Sequence, residues 1–165
     1  MIDGIDRKIL TILQKNARIA NTEIAKQVSM APSAVLERLR KLEEKGIVVG
    51  YAVNLDASKL DFGLVAFVFV KSDDRIGEVK TAKLLAEIPE VQEVHHVAGE
   101  DCFMMKVRAA DTNHLSSILR DKIGKIDAVR STRTTIVLDT VKETSTLPLL
   151  SGAREKEKRD RKTPS

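Results

Sequence analysis

Three segments within the first fifty residues carry apolar side chains at the spacing of an amphipathic helix. The first spans Asp3–Asn16, and the second begins at Asn21, a residue type that favours helix N-caps. The third begins at Pro32, whose missing N–H costs nothing at the first helical position, and ends at Gly46. Their apolar positions are Ile5, Ile9, Ile12 and Leu13, then Ile24, Ala25 and Val28, then Val35, Leu39 and Leu42. Three short helices are therefore predicted.

Only Ser29–Ala31 separates the second predicted helix from the third, which indicates a tight turn between them. A helix-turn-helix needs a small residue in its first helix, a turn residue four positions later and an apolar residue six beyond that. Ala25, Ser29 and Val35 have this spacing. Glycine is usual at the turn because it adopts positive φ freely, so Ser29 costs about 1 kcal/mol there unless the turn has another shape. The spacing predicts DNA binding by the third helix.

The period of the apolar pattern changes after residue 63. Leu64–Val70 is an uninterrupted apolar run, typical of a strand buried on both faces. The elements predicted after it are a helix that stops before Pro89, strands Val91–Val97 and Phe103–Val107, a helix through Leu115–Ile123, and a strand Thr132–Val141. The order βαββαβ predicts a ferredoxin-like domain, so the fold class is α+β. Its two helices cover one sheet face, and a second copy of the chain is expected to cover the other.

Charge divides the chain in the same way. The net charge is +3 over residues 1–50, −2 over residues 51–146 and +3 over residues 147–165. The predicted domains are a helix-turn-helix domain over 1–50, a linker strand or hinge over 51–63, a ferredoxin-like sensing and oligomerisation domain over 64–144, and a disordered basic tail over 145–165. The end of the tail has no apolar residue beyond Ala153, so it cannot offset its ordering entropy. It is either a solubilising extension or a source of phosphate attraction.

The residues predicted to contact double-stranded DNA lie mostly on the third helix. A helix in the major groove presents its N-terminal residues to base edges. Arg38 is expected to pair with guanine and Glu37 to accept from cytosine, whereas Arg40 and Lys41 are expected to reach phosphates. The alternative is a solvated helix with Glu37–Lys41 pairing. The full predicted set is Thr22, Pro32, Ser33, Ala34, Glu37, Arg38, Arg40 and Lys41.

Several function classes are disfavoured by what the sequence lacks. Its single cysteine, Cys102, allows no intrachain disulfide, and His95 and His96 are adjacent on a predicted strand and so point to opposite faces. There is no apolar stretch of about 18 residues and no N-terminal signal pattern, so a cytoplasmic protein without membrane contact is expected. No catalytic set, metal constellation or phosphate-binding glycine loop is present, which argues against an enzyme and against a cofactor or metal.

Two stretches resemble one protein family. IDRKILTILQKNAR and NTEIAKQVSMAPSAVLERLRKLEEKGIVVGY resemble the N-terminal domain of the leucine-responsive regulator family (Lrp/AsnC, the feast/famine regulators). IPEVQEVHHVAGEDCFMMKVRA and STRTTIVLDTVKE resemble its amino-acid-sensing domain, and the likeness runs from about residue 2 to residue 144. The resemblance implies a prokaryotic, nucleoid-associated transcription regulator. It also implies sheet-to-sheet dimers that assemble further, to an octamer for example.

The resemblance also implies an amino-acid effector site between dimers, near the turn that joins the second and third strands. Gly99 and Glu100 match the family pattern at that turn, whereas Asp101 stands where relatives have an aromatic residue and Cys102 where they have a second acid. Thr132 and Thr134 carry over as pocket walls. The expected function is therefore an effector-modulated, sequence-specific DNA-binding regulator. The alternatives are an architectural DNA-compacting protein without effector, and an enzyme on the ferredoxin-like half.

Overall fold

The computed structural model describes residues 2–75 and 78–149. The described residues form two compact units, one containing residues 2–54 together with 143–149, the other containing Leu55–Lys142. The sequence had instead assigned residue 143 to the sensing domain. Residues 150–165 of the predicted disordered tail lie outside the described residues. No helix within the described ranges is long and apolar enough to cross a membrane.

The first unit contains the three predicted helices: α1 Gly4–Lys15, α2 Asn21–Val28 and α3 Pro32–Glu44. Pro32 lies in the first turn of α3, as expected. Asn21 is not the N-cap of α2 but its first residue, because Ala20 already has the extended backbone of a cap (φ −70°, ψ 143°). The core of the unit is aliphatic, with Ile9, Ile24, Ala25, Val35 and Leu39 buried at its centre.

Residues 51–63, all of them described, were predicted to be a linker strand or a hinge, and they contain no strand. The only regular element there is a 3₁₀ turn, Ala57–Leu60, whose start is capped by the Asp56 carboxylate. The apolar side chains Val53 and Leu55 of this stretch are mostly exposed.

The second unit has the predicted βαββαβ order. Its strands are β1 Leu64–Ser72, β2 Val91–His96, β3 Phe103–Ala109 and β4 Val129–Ile136, and its helices are α4 Lys80–Ala86 and α5 Thr112–Ser117. The strands form one antiparallel sheet in the order β2-β3-β1-β4. The second helix continues as a π turn, Ile118–Lys122, and a 3₁₀ turn, Ile123–Lys125. The sequence pattern had instead predicted one regular helix through Leu115–Ile123.

The last strand lies earlier than predicted, at Val129–Ile136 instead of Thr132–Val141. It pairs with β1, and Ile136 lies opposite Ala66 near the beginning of β1. The Val137 N–H still donates to the Val65 carbonyl, but beyond this point β1 offers little backbone to pair with. Leu138 and Val141, which the pattern placed in the strand, are consequently almost fully exposed.

The sheet has two distinct faces. On one, alternate residues of β1 and β3 pack with α4 and α5 into the core, including Ala66, Val68, Val70, Phe103 and Met105. On the other, no element of the described part of this unit forms a second layer. That open face carries Val65, Phe67 and Phe69 from β1, Met104 and Lys106 from β3, and Arg133 from β4.

Candidate DNA-reading helix and effector hairpin

The turn between α2 and α3 has the geometry that the spacing of Ala25, Ser29 and Val35 predicted. Ser29 has left-handed backbone angles, φ 55° and ψ 49°, which confirms positive φ at a non-glycine residue. The Met30 N–H donates to the Ala25 carbonyl at 3.0 Å and closes the turn. Ala25 is 2% exposed and Val35 fully buried, so α3 crosses close to α2.

The outward side of α3 is polar and accessible. Ser33, Glu37, Arg40 and Lys41 are exposed, and Ala34 is half-buried at the first turn. Two further predicted residues, Thr22 at the start of α2 and Pro32, are also exposed. The charged side chains pair loosely along the helix, with Glu37 3.3 Å from Lys41 and 3.7 Å from Arg40. Such exposed pairs contribute little to stability, and the cations can exchange partners at low cost.

Arg38 occupies a different position from the one predicted. It lies between the buried residues Val35, Leu39 and Leu42 along α3, not on the face opposite them, and its side chain is only 29% exposed. Its Nη1 donates to Asp3 Oδ2 and to Asp6 Oδ1, both at 2.7 Å. The guanidinium is therefore engaged with α1 and is turned away from the outward surface.

The two acids that hold Arg38 form the N-terminal cap of α1. The Asp6 N–H donates to the Asp3 carboxylate at 2.8 Å, and the Asp3 N–H donates to Asp6 at 3.0 Å, which is a capping box. The Asp6 N–H and then Arg38 hold the pKa of the Asp3 carboxyl below its ordinary value. Asp3, followed by Asp6, raises the pKa of the Arg38 guanidinium. One arginine thus joins the start of α1 to the middle of α3.

Sequence reasoning missed three participants in this region. Asp3 and Asp6 carried a readable signal, because acids three residues apart at a helix start have capping-box spacing. Leu36 was also missed, although it lies 57% exposed on the outward side of α3. An exposed leucine on a groove-facing helix can contact the methyl group of thymine.

The hairpin between β2 and β3 is closed by the Val97 N–H, which donates to the Cys102 carbonyl at 3.0 Å. Gly99 has φ +157°, and both it and Glu100 are exposed at the tip. Asp101 accepts from Arg133 Nη2 at 2.7 Å, and the Arg133 guanidinium stacks 4.1 Å above the Phe69 ring. Cys102 Sγ lies 3.5 Å from the Ser72 nitrogen and packs toward the helix-covered core.

Residues that were predicted to form one effector site lie on opposite faces of the sheet. Thr132 and Thr134 lie opposite Val70 and Val68 of β1, so they share the helix-covered face. Asp101 instead meets Arg133, the residue between them, on the open face. Sequence reasoning missed Arg133 because likeness to the family pointed to its neighbours Thr132 and Thr134 as effector-site residues. Side chains alternate between the two faces along β4, and this alternation places Arg133 on the same face as Phe69.

His95 and His96 lie on opposite faces of β2, as predicted. His95 Nε2 is 3.2 Å from a Glu93 carboxylate oxygen, whereas the His96 ring packs on Phe103 with centroids 5.3 Å apart. Among the described residues, no three His, Cys, Asp or Glu side chains are grouped as metal ligands would be.

The structure thus defines a protein with a helix-turn-helix unit and a ferredoxin-like unit, and both have matches among known protein families. Residues 2–49 match the winged helix-turn-helix DNA-binding family, and residues 65–147 match the Lrp/AsnC ligand-binding domain. The chain belongs to the Lrp/AsnC family of transcription regulators.

Individual relatives are similar along nearly their whole length. The HTH-type transcriptional regulator FL11 of Pyrococcus horikoshii is 38% identical, over 90% of this chain and 97% of that protein. The leucine-responsive regulatory protein of Escherichia coli K12 is 35% identical, over 88% and 90% respectively. A Neisseria meningitidis transcriptional regulator, solved as its L-methionine complex, superposes with a TM-score of 0.84 at 32% identity, covering 90% of this chain and 97% of that one.

Replacing Arg38 by Gln should lower the melting temperature of the full chain by roughly 3–8 °C at pH 7, because it breaks the link between α1 and α3. The pKa of Asp3 is lowered in the folded state, so this stabilisation is complete above its unfolded value of about 3.9 and is lost as the pH falls through the folded value. The difference in melting temperature between the variant and the unmodified chain should therefore become smaller toward pH 2. Thermal unfolding followed by circular dichroism between pH 7 and pH 2 measures it.

The matched control is Arg40→Gln, because Arg40 is 65% exposed and its nearest carboxylate is 3.5 Å away. This change should shift the melting temperature by less than about 2 °C. Equal shifts for the two variants, or an Arg38→Gln deficit that does not depend on pH, would contradict the assigned role of Arg38.

Proposed function

We propose that this protein regulates transcription by placing α3 in the major groove of specific DNA sites, and that a small amino acid modulates its binding. The observation that carries the proposal is the turn at Ser29, which crosses α3 over α2 and leaves a polar, accessible helix surface. The proposed role involves no catalysis and no cofactor. We place the protein with the chromosome in the prokaryotic cytoplasm.

The proposed readout divides the residues of α3 by position. Ser33 and Ala34, at its N-terminus, and Glu37, one turn later, are assigned to base edges, and Leu36 to a thymine methyl group. Arg40 and Lys41 are assigned to phosphates, together with Thr22 and Pro32 at the starts of α2 and α3. Arg38 becomes a positioning residue that sets α3 against α1. Its bonds to Asp3 and Asp6 would have to break before it could reach guanine.

Replacing Glu37 by Gln should change base preference at one position of the site, at a cost of about 1–3 kcal/mol for the preferred base pair. Replacing Lys41 by Gln should weaken binding to all sequences alike and lower the salt slope by about 1. Selection from a randomised DNA library, followed by anisotropy titrations, separates these outcomes. Glu23→Gln on α2 is the control and should leave the selected motif unchanged. An unaltered motif for Glu37→Gln would remove Glu37 from the readout.

The open sheet face supports a homodimer. Phe67, Phe69 and Met104, all half-buried, lie there beside the buried Val65. The charged residues on this face include Lys106, 3.7 Å from Glu93, and Arg133, which stacks on Phe69. A contiguous apolar surface of this kind is usually covered in oligomers. We propose that two copies pack these faces together, and that dimers assemble into a higher oligomer such as an octamer. A two-fold dimer presents two copies of α3 to two half-sites.

We further propose that a small amino acid binds at the β2–β3 hairpin. Two family structures, from Neisseria meningitidis and Mycobacterium tuberculosis, are described as L-methionine complexes. In this chain the exposed Glu100 carboxylate suits an α-ammonium group, and Arg133 suits an α-carboxylate if Asp101 releases it. Thr132 and Thr134 lie on the other face of β4, and the backbone N–H and carbonyl of Cys102 are bonded to Val70 and Val97, so these three residues are left out of the proposed site.

A specific observation favours the architectural alternative without effector. The Asp101 carboxylate is already bonded to Arg133 at 2.7 Å, and the guanidinium is stacked on Phe69. Asp101 is thus already bonded to the guanidinium of Arg133 that the carboxylate of an amino-acid ligand would need. Under this alternative the hairpin is a structural contact, and DNA binding is independent of amino acids.

Replacing Gly99 by Asp should abolish the heat of amino-acid binding, because it adds a charge and a side chain at φ +157°. Calorimetry with each of the twenty amino acids, on the full chain, measures it. Gly50→Asp is a matched control: Gly50 has φ +159°, has equally open surroundings and belongs to the other unit. This control should keep the heat. Binding of DNA should change the affinity for the amino acid by the same factor, about 5–150-fold, by which the amino acid changes the affinity for DNA. No heat from any amino acid with the unmodified chain would favour the architectural alternative.

A further inference from the structure

We propose that Asp101 competes with the amino-acid effector, because its carboxylate occupies the guanidinium of Arg133 until the α-carboxylate of an amino acid replaces it. The proposal rests on the effector binding proposed above and deepens it in two ways. Arg133 becomes the residue that selects ligands with a free α-carboxylate, and Asp101 becomes the residue that sets how much amino acid is needed for binding.

Asp101 and Arg133, both within the described residues, are joined by one accessible hydrogen bond. Arg133 Nη2 donates to Asp101 Oδ2 at 2.7 Å, and the side chain of Arg133 is 62% exposed, whereas that of Asp101 is 24% exposed. A guanidinium can form two parallel hydrogen bonds to one carboxylate. A free carboxylate that approaches in the plane of the guanidinium can therefore make one bond more than Asp101 makes, and it can reach Arg133 directly from water.

Arg133 is held in place by a second contact that does not involve Asp101. Its guanidinium carbon lies 4.1 Å from the centre of the Phe69 ring, and the two residues lie opposite each other on β4 and β1. The face of an aromatic ring attracts a stacked guanidinium. Lys71, two residues after Phe69 on β1, is exposed and lies on the same face, so it adds a second cation to this part of the sheet. The group that would bind a carboxylate therefore keeps its position and its positive charge when Asp101 leaves.

The hairpin stays closed without the carboxylate of Asp101. The Val97 N–H donates to the Cys102 carbonyl at 3.0 Å, and the Cys102 N–H donates to the Val70 carbonyl at 2.9 Å. Both bonds join backbone groups, so release of Asp101 from Arg133 breaks an exposed ion pair and leaves the hairpin intact. Exposed ion pairs of this kind are weak, which makes the exchange of one carboxylate for another accessible to a small ligand.

The competition has a consequence for the affinity of the site. A site that is available for only part of the time binds its ligand more weakly, in proportion to the fraction of molecules in which it is available. Since the ion pair is exposed, Asp101 is expected to raise the apparent dissociation constant by about two- to fivefold. The family pattern has an aromatic residue at this position, and an aromatic side chain has no carboxylate to bond Arg133. The competitor is therefore a departure of this chain from that pattern.

Calorimetry on the full chain tests the competition. The twenty L-amino acids are titrated into the unmodified chain and into Asp101→Asn, which keeps the size of the side chain and removes its charge. Asp101→Ala is a second variant for which the same direction is expected. The amino acid that binds most tightly is then replaced by its α-carboxamide, which has no carboxylate. Arg133→Gln removes the guanidinium and is titrated with both compounds.

Two control variants separate competition at Arg133 from other effects of charge. Asp121→Asn is the matched control, because Asp121 is exposed and pairs with Arg120 at 3.0 Å elsewhere in the same unit. It should bind the amino acid as the unmodified chain does. Glu100→Gln removes the same charge from the residue next to Asp101, and it should weaken binding because Glu100 is assigned to the α-ammonium group. Opposite effects at positions 100 and 101 cannot arise from a general loss of negative charge.

Asp101→Asn should bind the amino acid about two- to fivefold more tightly than the unmodified chain. The amide should bind both chains equally weakly, and Arg133→Gln should lose the preference for the amino acid over its amide. Equal or weaker binding by both folded variants at position 101 would overturn the competition and leave effector binding intact. Equal binding of acid and amide by the unmodified chain would overturn the role of Arg133. No heat from any amino acid, with the unmodified chain or with either variant at position 101, would overturn this proposal and effector binding together.

Discussion

The four-stranded sheet has two faces, and the helices of its own unit cover only one. β1 is at the centre of this constraint, because its alternate residues serve both sides. Ala66, Val68 and Val70 pack under α4 and α5, while Val65, Phe67 and Phe69 face the open side. Apolar surface left in water costs about 25 cal/mol per Å². A second sheet is the cover that matches its shape and pattern, and a two-fold dimer would also supply two reading helices.

The charged residues of α3 are of two kinds: one is bonded within the unit and holds its helices together, and the others are exposed and able to bind DNA phosphates. Arg38 is bonded to two carboxylates at 2.7 Å and partly buried, so its charge is committed to holding α1 against α3. Arg40 and Lys41 make longer, exposed pairs with their helix neighbours. Exposed pairs of this kind are weak, so phosphates can replace their carboxylates at little cost. On one side of α3, Arg38 therefore fixes the helix against α1, and on the other side Arg40 and Lys41 can exchange their partners.

Features encoded by local spacing could be predicted from the sequence. The helical repeats, the order of strands and the strained turn at Ser29 each depend on residues a few positions apart. Features set by pairing across long separations could not. The end of β4 follows from where β1 begins, and the position of Arg38 follows from acids more than thirty residues earlier. At the hairpin, likeness to the family pointed to Thr132 and Thr134, whereas strand alternation brings Arg133 to Asp101.

The most direct test of the central constraint is sedimentation velocity of the full chain without DNA, from about 1 to 50 µM. If the open face is covered by a second copy, the protein sediments as a dimer or a multiple of dimers throughout this range. A folded monomer across the range would mean that this sheet face is stable in water, and would contradict the account.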